Sequence, residues 1–386
     1  VQAVRRGVYD RSQNEALHAD RKGDGAVITF LHAADLHLDA PFSGLSPAQA
    51  AKRREEQLGL VRELFEQANG RGCTLALLAG DLFDAPEVRP DTLEQVQRAC
   101  AGFHGPIFIA PGNHDCCKPG GVYSIGGWPE NVHIFTSRDI SRVELPDCTV
   151  YGAGFAQVCE NAMLDGFHAE GGKTSLMVLH GDCLQKDSPY DPITKEQIEG
   201  SNLTYLALGH IHQASGLLRA GKTFYAWPGC AMGRGFDELG EKGVYFGRIT
   251  DSGEVSLEFA PLGGRKYEIL RVEAGDDALS AIEQALPRNT QDDIYRIILT
   301  GQAALPDTRA LTRALESRFF ALTIRDETRP KQDLWSGAGE DTLRGFFLQT
   351  LRAQYDAAAD DETRRKIARA AKFGLDAMEN RLEVDG

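Results

Sequence analysis

The sequence predicts a layered α/β domain, followed by a smaller α+β unit and a helical tail. Three observations carry that reading. Five apolar runs, of the kind that form strands buried on both faces, each stop on a histidine, aspartate or asparagine. Amphipathic helical stretches separate the first three, the alternation expected of a layered sheet domain. Beyond residue 262 the alternation recurs on a smaller scale and then turns helical. At 386 residues the chain exceeds one typical domain.

The first run, VITFLHAADLHLD at 27–39, ends in Asp35 and His37. A helix follows, with Ser46 as N-cap, Pro47 at its first position, Leu60, Leu64 and Phe65 on one face, and Gly70 and Gly72 as stops. TLALLAGDLFD at 74–84 ends in Asp81 and Asp84, and a second helix is expected over 91–103. PIFIAPGNHD at 106–115 ends in Asn113, His114 and Asp115. SLMVLHGD at 175–182 ends in His180 and Asp182. LTYLALGHIH at 203–212 closes on His210 and His212, which face one side of an extended segment. If one sheet sets these strands side by side, the five tips gather at its carboxyl edge, where open α/β sheets place ligands.

Asp35, His37, Asp81, Asn113, His114, His180, His210 and His212 would meet there, with five of the chain's ten histidines among them. That exceeds the roughly four ligands of one zinc ion. It suits two metal ions about 3.5–4 Å apart with one carboxylate bridging them. Nitrogen and oxygen donors without thiolate favour Mn²⁺, Fe²⁺ or Zn²⁺.

In this order, D-x-H, G-D-x-x-D, G-N-H-D, H-G and G-H-x-H resemble the signature of the calcineurin-like metallophosphoesterases. The wording HAADLHLDAPF (32–42), LLAGDLFD (77–84), PGNHD (111–115), ALGHIH (207–212) and FYAWPGCAMGRGFDELGEKGVYF (224–246) is similar to the bacterial DNA repair exonuclease branch of SbcD- and YhaO-like nuclease subunits. The likeness covers about residues 27–250. It implies the layered metallophosphoesterase fold, with Asp35, His37, Asp81 and His212 on one metal and Asp81, Asn113, His180 and His210 on the other. It implies that His114 contacts the phosphate and assists the leaving oxygen, oriented by Asp115 or Asp84. Arg234 is a candidate phosphate or DNA contact. The activity implied is two-metal-activated attack of hydroxide on a DNA phosphodiester, Mn²⁺-dependent, as exonuclease or endonuclease in end processing or repair. Two alternatives stand beside it: action on a phosphoprotein or cyclic nucleotide, and a non-catalytic DNA-end-binding or ATPase-partner module.

Other residues carry plainer expectations. His32 lies inside its strand and reads as structural, and His18, His104, His133 and His168 read as surface or loop residues. Asp39, Asp84 and Asp182 are expected to cap loops or orient neighbours. Cys116, Cys117, Cys183 and Cys230 read as packing residues. Tyr190 and Phe42 are read either as stacking residues of a DNA groove or as loop anchors.

Net charge is −14. An acidic chain is poorly suited to sequence-independent DNA binding unless bound cations neutralise its carboxylates or a partner supplies positive surface. Eight cysteines without a C-x-x-C pattern argue against a zinc ribbon or a disulfide framework and fit a cytoplasmic protein. No apolar run reaches the ~20 residues of a membrane span. The polar segment 1–25 precedes the first strand and lacks a secretory core. Val1 in place of Met points to an alternative start codon or a trimmed chain.

Four segments are therefore expected: the extension 1–25, a metallophosphoesterase domain 26–262, an α+β capping domain 263–332 and a helical tail 333–386. In the tail Leu343, Phe347, Leu351 and Tyr355 share one helical face, and Ile367, Ala371, Leu375, Met378 and Leu382 another, beside Arg364, Arg365, Lys366, Arg369 and Lys372. The resemblance implies that this tail docks on the coiled-coil base of an SMC-like ATPase, and that the protein dimerises.

Overall fold

The computed structural model describes residues 28–303, 306–330 and 334–378, so the extension expected over 1–25 lies outside the described residues. Parallel strands β1 (Ile28–Ala33), β2 (Leu75–Leu78), β3 (Ile107–Ile109) and β4 (Val132–Ile134) lie side by side in a first sheet, with β4 at its edge. Helix α1 (Pro47–Gly70) connects β1 to β2, and α2 (Pro90–Ala101) connects β2 to β3. Ser46 caps α1 as the sequence predicts, and closes a capping box with Gln49.

A second sheet follows, from β5 (Ser141–Glu144), β6 (Cys148–Gly152), β7 (Thr174–His180), β8 (Tyr205–Gly209), β9 (Leu218–Ala220) and β10 (Thr223–Ala226), with α3 (Lys195–Gly200) before β8. Its order is β5-β6-β7-β8-β10-β9. The chain then returns to the first sheet with β11 (Gly243–Ile249) and β12 (Val255–Pro261), antiparallel additions that complete the order β12-β11-β1-β2-β3-β4. The five polar tips therefore do not share one sheet. Three end strands of the first, and those carrying His180, His210 and His212 end β7 and β8 of the second.

Strand alternation explains the layering. Phe30, Leu77 and Phe108 of the first sheet share one buried cluster with Val150, Val178, Tyr205 and Ala207 of the second. Their neighbours Leu31, Leu78 and Ile109 point the other way and pack with Leu60, Leu64, Phe65 and Val96 of the helices. Met177, Leu179, Leu206 and Leu208 do the same on the outer face of the second sheet. Each such aliphatic side chain contributes about 1.5–3 kcal/mol through burial.

His32 is structural, as expected. Its Nε2 donates to the Leu208 carbonyl at 2.9 Å, and Nδ1 accepts from the Tyr205 hydroxyl at 2.8 Å, joining the two sheets. Burial pushes its pKa down to about 3, so it stays neutral. His133, expected on the surface, is half-buried in β4 between Phe108 and Phe135, because the edge strand turns it onto those rings.

The chain divides into two compact units: Val1–Ile269 with Arg288–Arg296 and Leu315–Thr323, and Leu270–Pro287 with Ile297–Ala314 and Ile324–Gly386. After β12 come β13 (Tyr267–Glu273), α4 (Ala278–Ala285), β14 (Ile294–Thr300), β15 (Gln302–Ala303), α5 (Thr308–Leu315), β16 (Ala321–Asp326) and β17 (Arg329–Pro330). β13, β14 and β16 pair in that order, and β15 pairs with β17. The tail forms α6 (Leu343–Ala357) and α7 (Asp361–Met378). Leu348, Ala371 and Leu375 are buried together, with Leu334, Trp335, Phe347 and Leu351 against them. Leu343, expected on the packed face, is 79% exposed, because it opens the helix directly after the Thr342 cap, more than a turn ahead of Leu348. Leu382 lies outside the described residues.

Candidate metal centre

The backbone first sets the site. Past the end of β1 and β2 the two chains stay paired: Asp35 N–H donates to Gly80 O at 3.0 Å, His37 N–H to Asp81 O at 2.9 Å and Leu38 N–H to Leu82 O at 3.0 Å. Four of the expected ligand residues hold left-handed φ angles: Asp35 (51°), His37 (46°), Asp81 (50°) and His210 (91°). Such conformations cost non-glycine residues about 1–3 kcal/mol and cluster at functional sites. The two sheets are tied at this point, since His210 N–H donates to both Asp35 carboxylate oxygens at 3.1 Å.

Three imidazoles are fixed through Nδ1 and aim Nε2 inward. His180 Nδ1 donates to the Ala79 carbonyl at 3.0 Å, His37 Nδ1 to Asp84 Oδ1 at 3.2 Å and His212 Nδ1 to Glu238 Oε1 at 2.7 Å. A carbonyl or carboxylate only accepts, so Nδ1 carries the hydrogen and the Nε2 lone pair is left to bind a cation. The Nε2 atoms face acceptors. His37 Nε2 lies 3.3 Å from His212 Nε2 and 3.8 Å from Asp81 Oδ2. His180 Nε2 lies 3.0 Å from Asn113 Oδ1 and 3.4 Å from Asp81 Oδ2, and His212 Nε2 lies 3.7 Å from Asp35 Oδ1.

Lone pairs crowded in this way are satisfied by shared cations. The sets Asp35–His37–His212, His37–Asp81–His114 and Asp35–Asp81–His180 each bring one ligand atom per residue within 4.8 Å of one another. Asp35 and Asp81 are each in two of these sets, as is His37, and a carboxylate shared in this way can bridge two ions. The donors fit divalent ions of the Mn²⁺, Fe²⁺ or Zn²⁺ type. His210 stands at the margin, its ring centroid 5.2 Å from that of His180 and its Nε2 3.7 Å from Asp182 Oδ2.

Burial opposes the Asp81 charge, but His180, His37 and His114 outweigh it and hold the carboxyl below its usual range. Asp115 goes the other way, raised by burial and then by the charge of Asp81. Its oxygens accept from Gly112 N–H at 2.7 Å, Phe83 N–H at 3.2 Å and the Tyr123 hydroxyl at 2.6 Å. Asp115 thus staples two loops and makes no hydrogen bond to the His114 ring. Asp84 orients that ring instead, its carbonyl accepting from His114 Nδ1 at 3.0 Å. The His114 side chain is 42% exposed.

Residues 28–214 match the model of the calcineurin-like phosphoesterases. This region is similar to that family. Such phosphoesterases work with a dimetal site, and the ligand sets described above are of that kind. A Bacillus subtilis (strain 168) protein named uncharacterized metallophosphoesterase YhaO is 31% identical over 272 residues, covering 66% of this chain and 64% of the relative. The chain thus spans just under two thirds of that relative's length. Among solved structures, the Thermus thermophilus protein TT1561 is 13% identical over 62% of this chain and 100% of its own, with a TM-score of 0.38. A dimetal phosphatase from Danio rerio is 11% identical, covering 61% and 96%, with a TM-score of 0.40. Vacuolar protein sorting 29 from Cryptosporidium parvum is 14% identical, covering 61% and 97%, with a TM-score of 0.29.

Several further residues support this candidate site. Glu238 is buried and receives His212, and Gln57 of α1 donates to the Leu36 and His37 carbonyls at 3.2 and 3.0 Å. Arg53, fully buried, donates to Gly233 O at 3.0 Å. Arg234 is engaged by Asp84 and Glu238. Asp39 anchors Arg89 and Thr92, and Asp182 caps Leu184 and Gln185. Phe42 is buried under the Arg53 guanidinium and lines no groove, whereas the Tyr190 ring stands 5.1 Å from that of His210. Cys116 and Cys230 are buried, and burial pushes the half-buried Cys117 and Cys183 thiols up to about 12. Among the described residues no helix is long and apolar enough to cross a membrane.

Proposed function

We propose that the chain is a divalent-metal-dependent phosphodiesterase that hydrolyses DNA, as an exonuclease or endonuclease in end processing or repair. The observation that carries this reading is the convergence of His37, His180 and His212 Nε2 with Asp35, Asp81 and Asn113, beside a His114 ring left open to solvent. Asp35, His37, Asp81 and His212 would hold one ion, and Asp81, Asn113, His180 and His210 the other, with Mn²⁺ the proposed metal. Bound ions supply a lowered water pKa and charge neutralisation at the phosphate.

The chain's own residues do the rest. Ala79, Asp84 and Glu238 keep three imidazoles turned inward. His114, held through Nδ1, presents Nε2 to exchange a proton with the leaving oxygen. DNA as the substrate is supported by the wording of the motifs at 32–42 and 224–246.

A net charge of −14 makes a partner with positive surface part of the proposal. An SMC-like coiled-coil ATPase docking on the α6–α7 hairpin fits the exposed Phe346 (58%) and Phe373 (63%), and a homodimer is proposed from the same resemblance. The test offers wild type and His114→Ala an end-labelled duplex, a single-stranded circle and a phosphomonoester, with Mn²⁺ and then with EDTA. Metal-dependent DNA cleavage that His114→Ala loses supports the proposal. Cleavage of the phosphomonoester alone removes DNA from it.

A further inference from the structure

Among the described residues, Arg234 is the cation that touches both carboxylates behind the inward-facing histidines. Its Nη1 donates to Asp84 Oδ1 at 3.1 Å, and Nη2 to Glu238 Oε1 at 2.7 Å. Its Nε adds a contact to Glu238 Oε1 at 3.2 Å, and its own backbone N–H donates to Glu238 Oε2 at 2.7 Å. Those carboxylates in turn receive His37 Nδ1 and His212 Nδ1, the two rings whose Nε2 atoms stand 3.3 Å apart. The chain of contacts His37–Asp84–Arg234–Glu238–His212 therefore closes into a ring around one side of the centre.

We propose that Arg234 is a positioning residue of the metal centre, clamping Asp84 and Glu238 so that His37 and His212 aim together at one ion. This inference rests on the metal-centre reading given above. A guanidinium suits the task because its planar fork meets two carboxylates at fixed angles, which a lysine ammonium does not. Asp84 and Glu238 arrive from separate loops, one after β2 and the other ahead of β11, so nothing in either loop's own turn sets their spacing. The clamp also reaches His114, since the backbone of the same Asp84 holds that ring. A direct phosphate contact, the reading the sequence suggests for Arg234, would have to be made by a side chain already turned to two carboxylates.

The test titrates the full chain, wild type and Arg234→Gln, with Mn²⁺ in a calorimeter. It also measures kcat and KM for bis(p-nitrophenyl) phosphate at saturating Mn²⁺. The expected result is a loss of about 10–100-fold in affinity for one of two ions, the usual effect of removing an outer partner of metal-bound histidine, with KM unchanged. Unchanged Mn²⁺ affinity with a raised KM would place Arg234 on the substrate and overturn the proposal. A wild-type chain that binds no Mn²⁺ would overturn the metal-centre reading and the clamp with it. If Arg234→Gln does not fold, Arg234→Lys decides: its ammonium reaches one carboxylate, so the same affinity loss is expected, and wild-type affinity would sink the idea.

Discussion

The His180 imidazole lies directly over Gly80, so that a β-carbon added at Gly80 would fall 2.2 Å from Nδ1 and 2.6 Å from Cγ. The ring has no room to retreat, since Nδ1 is bonded to the Ala79 carbonyl on the same stretch of chain. Gly80 also sits at φ 84°, where an L side chain is strained. Gly80→Ala is expected to displace His180 and destabilise the fold by about 1–3 kcal/mol. Urea unfolding measures the second effect, and Mn²⁺ titration of the folded fraction measures the first. Unchanged Mn²⁺ affinity would contradict the placement of His180 as a ligand.

His114 and Asp115 are adjacent in sequence and are expected to fail differently. His114→Ala removes an exposed ring and should lower phosphodiester hydrolysis about 10²–10⁴-fold, with the melting temperature near wild type. Asp115→Asn breaks a buried junction of Gly112, Phe83 and Tyr123, so it should lower the melting temperature. Paired activity and melting measurements on the two variants check this. Equal stability loss in both would be the wrong pattern.

Asp191 is fully buried, and its Oδ2 makes no hydrogen bond among the described residues. Burial raises its pKa from 3.8 to about 6. The folded state therefore binds more protons than the unfolded state between those values, and stability falls as pH rises through that window, then stays level above it. Asp191→Asn should remove this fall and gain up to about 3 kcal/mol at neutral pH relative to wild type. Unfolding free energies of both proteins, measured from pH 4 to about 7, show whether their difference grows with pH.

A β-carbon at Gly374 would meet the Phe347 ring at 2.1 Å, so α7 touches α6 there through bare backbone. Gly374→Ala should pry the hairpin apart and expose Leu348 and Ala371, which are otherwise fully buried. Limited proteolysis should then cut between or within these helices faster than in wild type, while hydrolysis of a small phosphodiester stays unchanged. Unaltered protection would mean that the hairpin repacks around the methyl group.

The site was legible wherever an apolar run ended in a polar tip, because burial makes an exception such as His180 or Asp81 conspicuous. The division into two sheets was not legible. A strand buried on both faces reads the same whichever sheet it joins, and only long-range packing, such as that of Phe30 with Tyr205, decides its place. Glu238 stood in the 224–246 wording without an assigned role, and Gln57 and Arg53 were missed, for another reason. In a charged helix or loop they read as solvated surface, and only the tertiary fold turns them to His212, His37 and Gly233. Asp115 or Asp84 was expected to orient His114, and it is Asp84 that does so, through its carbonyl, since successive residues at a turn point different ways.

Asp35, His37, Asp81 and Asn113 come from one sheet and His180, His210 and His212 from the other, so each of the two proposed ligand sets draws on both sheets. During synthesis the first group leaves the ribosome well before the second is made, so ion capture waits until both halves have docked. Loading also acts back on closure, since an ion that binds only the docked state holds the halves together in proportion to its free concentration. Scarcity of that ion would be felt as looser docking of the two sheets as well as idle chemistry.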